Sequence, residues 1–161
     1  MKPIVCVETQ TVDAPAGAVF AVASGPEVPG LFMRHGAIPG VIGVSGHVAA
    51  WSAPGEVREL TLNDGGYVRE ELVAFALNEG FAYKVTGFTG LFAALVREAQ
   101  GSWRFLETAP GRTQIEWTYS FAPASPLAAP ASRLIVRALW PGYMRAALMR
   151  IKEAAETKPS T

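Results

Sequence analysis

The chain reads as an α+β domain in which an antiparallel meander of about seven strands is followed by one long helix at the C-terminus. Three observations lead there. Residues 113–121, Thr-Gln-Ile-Glu-Trp-Thr-Tyr-Ser-Phe, alternate so that Ile115, Trp117, Tyr119 and Phe121 share one face of a strand and Gln114, Glu116, Thr118 and Ser120 the other. Turn signatures at Asn63-Asp64-Gly65-Gly66, Asn78-Glu79-Gly80 and Ala109-Pro110-Gly111 separate successive β-rich runs. Beyond them, Arg133, Arg137, Arg145, Lys152 and Glu156 recur at spacings mostly near multiples of four, the charged outer stripe of a helix. An aromatic sheet face that meets a helix has two outcomes: a filled core, or a space in which a ligand sits.

Each element has a local reason. Residues 4–11 alternate weakly and are rich in valine and threonine, a first strand. Asp13 can cap the helix that follows, Pro15 suits its first turn, and Val19, Phe20 and Ala23 fall on one face. Residues 27–32 predict a second helical turn. Residues 33–46 hold Gly36, Pro39, Gly40, Gly43 and Gly46 and are expected to be a loop, and a loop of that length inside a compact domain is usually functional. Short strands are expected at residues 47–52 and 56–62, then 67–77 and 81–87. Residues 88–99 fit a helical period through Leu91, Phe92, Leu95 and Val96 and equally a curved strand or lid. The last hairpin joins residues 101–108 to 112–121. From residue 131 to about 157 the pattern is helical, with Ile135, Ala138, Leu139, Gly142, Ala146 and Met149 opposite the charged stripe. Pro141 inside it predicts a kink or break. One domain is expected over residues 1–157, with a disordered tail at 158–161.

Composition narrows the function. A chain of 161 residues buries roughly 70% of its unfolded surface and needs no staple. Half of it is apolar and 17% charged. Basic and acidic residues number 14 each, which argues against a nucleic-acid partner recruited by counterion release. Cys6 has no partner for an internal disulfide, which suits a reducing compartment, and it fits a core position in the first strand. The N-terminus lacks an apolar leader, and no run reaches the ~18 apolar residues of a membrane span. The expectation is a cytoplasmic protein without integral membrane association. Two histidines and one cysteine, without Cys-x-x-Cys or His-x-x-x-His spacing, argue against a metal site. The sequence has no Gly-x-Ser-x-Gly elbow, phosphate loop or dinucleotide fingerprint, so no cofactor is expected.

Strand, two short helices, six more strands and a long C-terminal helix is the helix-grip order. In this respect the chain resembles the SRPBCC or START-like superfamily, which includes START lipid-transfer domains, the major birch pollen allergen, bacterial polyketide cyclases and dehydrases, and plant hormone receptors. The resemblance spans residues 4–155. It is marked by Thr11-Val12-Asp13-Ala14-Pro15-Ala16-Gly17-Ala18-Val19-Phe20 and by Gly55-Glu56-Val57-Arg58-Glu59-Leu60-Thr61-Leu62-Asn63-Asp64-Gly65 running to Glu70-Glu71-Leu72. It implies a curved sheet wrapped around a long kinked helix and a hydrophobic or amphipathic ligand, lipid-like or polyketide-like, between the two. It equally allows an enzyme of the cyclase or dehydratase type, without metal or nucleotide, in the same space. A structural protein that dimerises over a filled core is the third reading.

The sharpest local signal is Arg58 with Glu70. A three-residue turn Asp64-Gly65-Gly66 would set Asn63 opposite Tyr67 and Leu60 opposite Glu70, making Arg58 and Glu70 diagonal neighbours on the face shared by Leu60, Leu62, Val68 and Leu72. Charges there are costly unless paired, so an inward ion pair is expected. It would anchor a ligand's polar group or simply hold the fold. A register change of one residue would send Glu59 and Glu71 inward instead. Phe81, Tyr83, Trp103, Phe105, Trp117, Tyr119, Trp140 and Tyr143 are expected to project toward the same space. Of these, Tyr83, Trp103, Trp117, Tyr119, Trp140 and Tyr143 join Arg58 and Glu70 as candidate ligand contacts, because indole and phenol rings pair an apolar body with a polar tip. Arg58, Glu70 and His35 are the candidate catalytic groups. Arg34 and His35 lie in the glycine-rich loop, which would close over a pocket mouth. His47 is a further histidine without an assigned role.

Overall fold

The computed structural model describes residues 1–157, so the expected disordered tail at 158–161 lies outside the described residues. The elements are β1 (Ile4–Val12), α1 (Ala16–Ala23), α2 (Val28–Leu31), β2 (Val41–Gly46), β3 (Val57–Leu62), β4 (Tyr67–Ala76), β5 (Gly80–Thr86), α3 (Gly90–Leu95), β6 (Val96–Ala109), β7 (Arg112–Pro123) and α4 (Ala129–Thr157). The strands form one seven-stranded antiparallel sheet in the order β1-β7-β6-β5-β4-β3-β2. Tight turns join β3 to β4, β4 to β5 and β6 to β7, while residues 47–56 form a longer loop between β2 and β3 and α3 separates β5 from β6. β1 pairs with β7 instead of its chain neighbour β2, because α1 and α2 carry the chain from one edge of the sheet to the other.

The alternation along β7 is the one the sequence predicts: Thr113, Ile115, Trp117, Tyr119 and Phe121 are buried and face the helix side. Thr113 belongs there because its hydroxyl donates to the carbonyl of Ala14, 2.8 Å away, tying β7 to the turn before α1. Residues 88–99 resolve into helix followed by strand. α3 covers Gly90–Leu95 and β6 starts at Val96, two residues after Ala94.

Other expectations are corrected. The glycine-rich stretch is a loop only to Gly40. β2 occupies Val41–Gly46 with a bulge at Ile42, and residues 47–52 form no strand. That segment is pulled off the sheet by Trp51, which is buried and donates its backbone N–H to the carbonyl of Ser24 at 3.0 Å. Asp13 does not cap α1. The Pro15 carbonyl accepts the first N–H groups, while Asp13 pairs with Arg112 at 3.1 Å and its own N–H donates to Glu156. α4 runs unbroken through Pro141. Its buried stripe is Ser132, Val136, Trp140, Met144, Ala147, Leu148, Ile151 and Ala155, while Ala138 and Met149 are exposed. The buried stripe lies further around the helix than expected: Ser132 turns inward because its hydroxyl donates to the carbonyls of Leu95 and Ala128, and Arg150 donates to the Leu31 carbonyl.

The β3–β4 hairpin corrects the expected register by two residues. The N–H of Leu62 donates to the Gly66 carbonyl (2.9 Å) and that of Gly65 to the Leu62 carbonyl (3.1 Å), so the loop is Asn63-Asp64-Gly65. Gly65 takes φ +86°, which suits glycine. Arg58 therefore stands directly opposite Glu70, and Leu60 opposite Val68. A displacement of two leaves every side chain on its expected face.

Replacing Thr113 by valine keeps the volume and removes the donor to Ala14. The expected result is a loss of about 1–3 kcal/mol of stability, read as a lower urea midpoint at unchanged slope.

Candidate functional site

The aromatic side chains do not fill the space they surround. A cavity of about 720 Å³ lies between the sheet and α4, within the ~300–1,000 Å³ usual for small-molecule sites. Its floor is Tyr83, Trp103, Trp117 and Tyr119 from β5, β6 and β7. Ile135, Leu139, Trp140 and Tyr143 of α4 roof it, and α3 and residues 37–39 flank it. α3 has no buried residue, although Phe92 stacks on Trp140 with ring centroids 5.1 Å apart.

The floor lies flat because its rings pack against one another. Trp103 and Trp117 stack at 4.3 Å and 19°, and Phe81 stacks on Trp103 at 5.7 Å. Gly101 makes room for the phenols: it faces Tyr83 on one neighbouring strand and Tyr119 on the other. A Cβ there would lie 2.4 Å from Cζ of Tyr83, a distance that the ring would have to vacate. The indole N–H groups of Trp117 and Trp140 are buried without an acceptor among the described residues, an uncommon and costly state.

At one end stands the charge pair. Arg58 Nε donates to Glu70 Oε2 at 2.7 Å, with the two side chains 6% and 8% exposed. Trp51 lies under the guanidinium, whose Cζ is 4.1 Å from the ring centroid, a cation–π contact strengthened by burial. His47 stacks parallel on Trp51 at 5.5 Å, and its Nε2 lies 2.9 Å from the Ala50 carbonyl and 3.3 Å from Glu56. The outward side of the arginine is thus sealed by a column of rings, and its terminal nitrogens make no hydrogen bond among the described residues. Burial raises the phenol pKa of Tyr83, Tyr119 and Tyr143 well above the ordinary value, and the nearby Glu70 carboxylate raises all three further. All three are neutral hydrogen-bond donors at physiological pH.

Arg58, Glu70, Tyr83, Trp103, Trp117, Tyr119, Trp140 and Tyr143 all line the cavity. His35 does not. It is exposed, and its Nε2 lies against α4, 2.9 Å from where a Cβ on Gly142 would sit. Arg34 is exposed too, its Nε donating to the Gly36 carbonyl at 3.2 Å. Phe105 packs on Phe20 at 5.3 Å, away from the cavity wall. Sequence reasoning missed Trp51 and Gly101. A glycine interior to a strand is a signal for close approach of another group, whereas a tryptophan in a Pro/Gly-flanked loop carries no comparable signal.

A family model described as polyketide cyclase / dehydrase and lipid transport matches residues 4–156. The chain belongs to that family, within the SRPBCC or START-like helix-grip superfamily. No curated protein sequence matches it. Among solved structures, an aromatase/cyclase named Zhui from Streptomyces sp. R1128 is similar at TM-score 0.69 and 20% identity, over 94% of this chain and 93% of that one. Norcoclaurine synthase from Thalictrum flavum, in complex with dopamine and hydroxybenzaldehyde, aligns at TM-score 0.70 and 14% identity, over 99% and 90%. Major latex-like protein 151 from Panax ginseng aligns at 0.69 and 14%, over 98% and 100%. At these identities the likeness establishes the fold. No described helix is long and apolar enough to cross a membrane.

Two predictions follow from the geometry. Arg58→Met leaves Glu70 buried without its partner and is expected to cost about 3–5 kcal/mol, whereas Arg58→Met with Glu70→Leu recovers most of it; urea unfolding of the three variants checks this. The raised phenols stabilise the fold fully below the unfolded-state value of about 10, and the contribution is lost as pH rises through their higher folded values. In an alkaline titration, the phenolate absorbance of Tyr83, Tyr119 and Tyr143 is expected to appear together with loss of near-ultraviolet circular dichroism.

Proposed function

We propose that this protein binds a small hydrophobic or amphipathic molecule in the cavity between its sheet and α4, and that it acts as a carrier or sensor of that molecule. The observation that supports this is the cavity itself, about 720 Å³ of apolar-walled space with one buried ion pair at its end. A protein whose core served only packing or dimerisation would fill that space, since interiors pack as densely as organic crystals. Tyr83, Trp103, Trp117, Tyr119, Trp140 and Tyr143 would hold the apolar body of the ligand, and Arg58 with Glu70 its polar group.

A second reading is a cyclase or dehydratase working in the same cavity. It draws support from Arg58 terminal nitrogens with no protein acceptor and from three phenols held protonated. Such donors can polarise a carbonyl, and Glu70 could take the proton. His35, outside the cavity wall, contributes to neither reading in this conformation. Unchanged turnover in Arg58→Met and Glu70→Gln variants would remove this enzyme reading.

The binding reading is tested with the uncharged fluorescent probe N-phenyl-1-naphthylamine. Saturable binding at one site per chain is expected, and Leu139→Trp, which projects an indole from α4 into the cavity, is expected to weaken it by about tenfold or more, or ~1.4 kcal/mol. Absence of saturable binding, together with no retained small molecule in native mass spectra of protein from its own source, would sink the proposal.

A further inference from the structure

We infer that the cavity selects uncharged ligands bearing a hydroxyl or carbonyl oxygen and rejects carboxylates, because its buried arginine is already matched by Glu70 and three phenols line the same cavity. This rests on the proposed function and narrows it to a ligand class.

An inward arginine in an apolar pocket would by itself be a receptor for a carboxylate. Here the charge is spent. Arg58 Nε and Glu70 Oε2 are 2.7 Å apart, and both side chains are almost fully buried. The cavity is lined by one arginine and two acidic residues, Glu70 and Asp64, and by no lysine or histidine. A further cation, Arg150, lies outside the wall and donates to the Leu31 carbonyl at 3.0 Å, and its field reaches the Tyr143 hydroxyl. A ligand carboxylate would therefore lose its water, meet no unmatched cation, and stand beside Glu70. Burying a charge on those terms is unfavourable.

A neutral oxygen meets the opposite situation. Tyr143 carries a hydroxyl with no hydrogen bond to another described group, the Tyr119 hydroxyl meets that of Tyr83, and the terminal nitrogens of Arg58 have no acceptor among the described residues. These donate to a carbonyl or hydroxyl oxygen. Glu70, with one oxygen on Arg58, can accept a ligand hydroxyl on the other. Burial, with the Glu70 carboxylate adding to it, raises all three phenols, which are protonated donors at neutral pH in any case. Stacked Trp103 and Trp117 offer a flat apolar surface beneath, which suits a ring system.

Three probes with one skeleton test this: 9-anthracenemethanol, 9-anthracenecarboxylate and anthracene, titrated by fluorescence at about pH 7, where the carboxylate is ionised. The alcohol is expected to bind the wild-type protein about tenfold or more tighter than the carboxylate, and at least as tightly as anthracene. Glu70→Gln, which leaves Arg58 unmatched, is expected to close or reverse that gap. Carboxylate binding as tight as alcohol binding in the wild-type protein overturns this inference and leaves the proposed function standing. Failure of all three to bind overturns the proposed function as well. An unchanged preference in a folded Glu70→Gln protein overturns the role given to the pair. If that variant does not fold, the wild-type ratio decides.

Discussion

Two opposite charges inside an apolar wall hold only while each keeps the other in place, and the bridge between Arg58 and Glu70 sets the terms for the rest of this site. It requires β3 and β4 to meet with those residues opposed. It requires a cover on the far side of the guanidinium, which Trp51 supplies and His47 backs. It places a carboxylate where three buried tyrosines feel it, adding to the rise that burial gives their pKa. Little of this serves stability, because a hydrophobic pair of the same volume would often serve as well or better.

The cavity survives because α4 has two jobs along its length. Met144, Ala147, Leu148, Ile151 and Ala155 seal the C-terminal half of the helix into the core. Toward its N-terminal half, Ile135, Leu139, Trp140 and Tyr143 border the cavity, with Trp140 set edge-on against Phe121 at 4.8 Å. The large rings that could have risen to meet them lie against each other along the floor, Trp103 on Trp117 and Phe81 on Trp103. Aromatic stacking thus substitutes for helix–sheet contact at one end of the molecule. The dispersion energy forgone across the void is partly recovered within the wall.

Much of this was legible in the sequence, and the failures have physical causes. A period of two identifies the buried face of β7 without any knowledge of its neighbours, and turn residues locate the hairpins. The same reasoning put Arg58 and Glu70 on one inward face, which the ion pair at 2.7 Å satisfies. It failed where tertiary contact overrides local pattern. Residues 47–52 have strand-like composition, but burial of Trp51 draws them off the sheet. The inward stripe of α4 was misplaced because Ser132 is polar yet fully buried through its bonds to Leu95 and Ala128. Gly101 was read as the start of a strand, and its meaning depends on Tyr83 and Tyr119, which are distant in the chain.

The three-residue loop Asn63-Asp64-Gly65 carries a consequence larger than its size. Because side chains alternate, a shift of the β3–β4 register by an even number of residues keeps every side chain on its face, while an odd shift turns one strand over relative to the other. If β4 turned, Arg69 and Glu71 would come to the face of Arg58 and Glu70 would leave it; if β3 turned, Glu59 would come to the face of Glu70 and Arg58 would leave it. The match between the two charges is thus stored in the parity of a turn on the cavity's rim, and a single-residue insertion there that shifts the register separates Arg58 from Glu70.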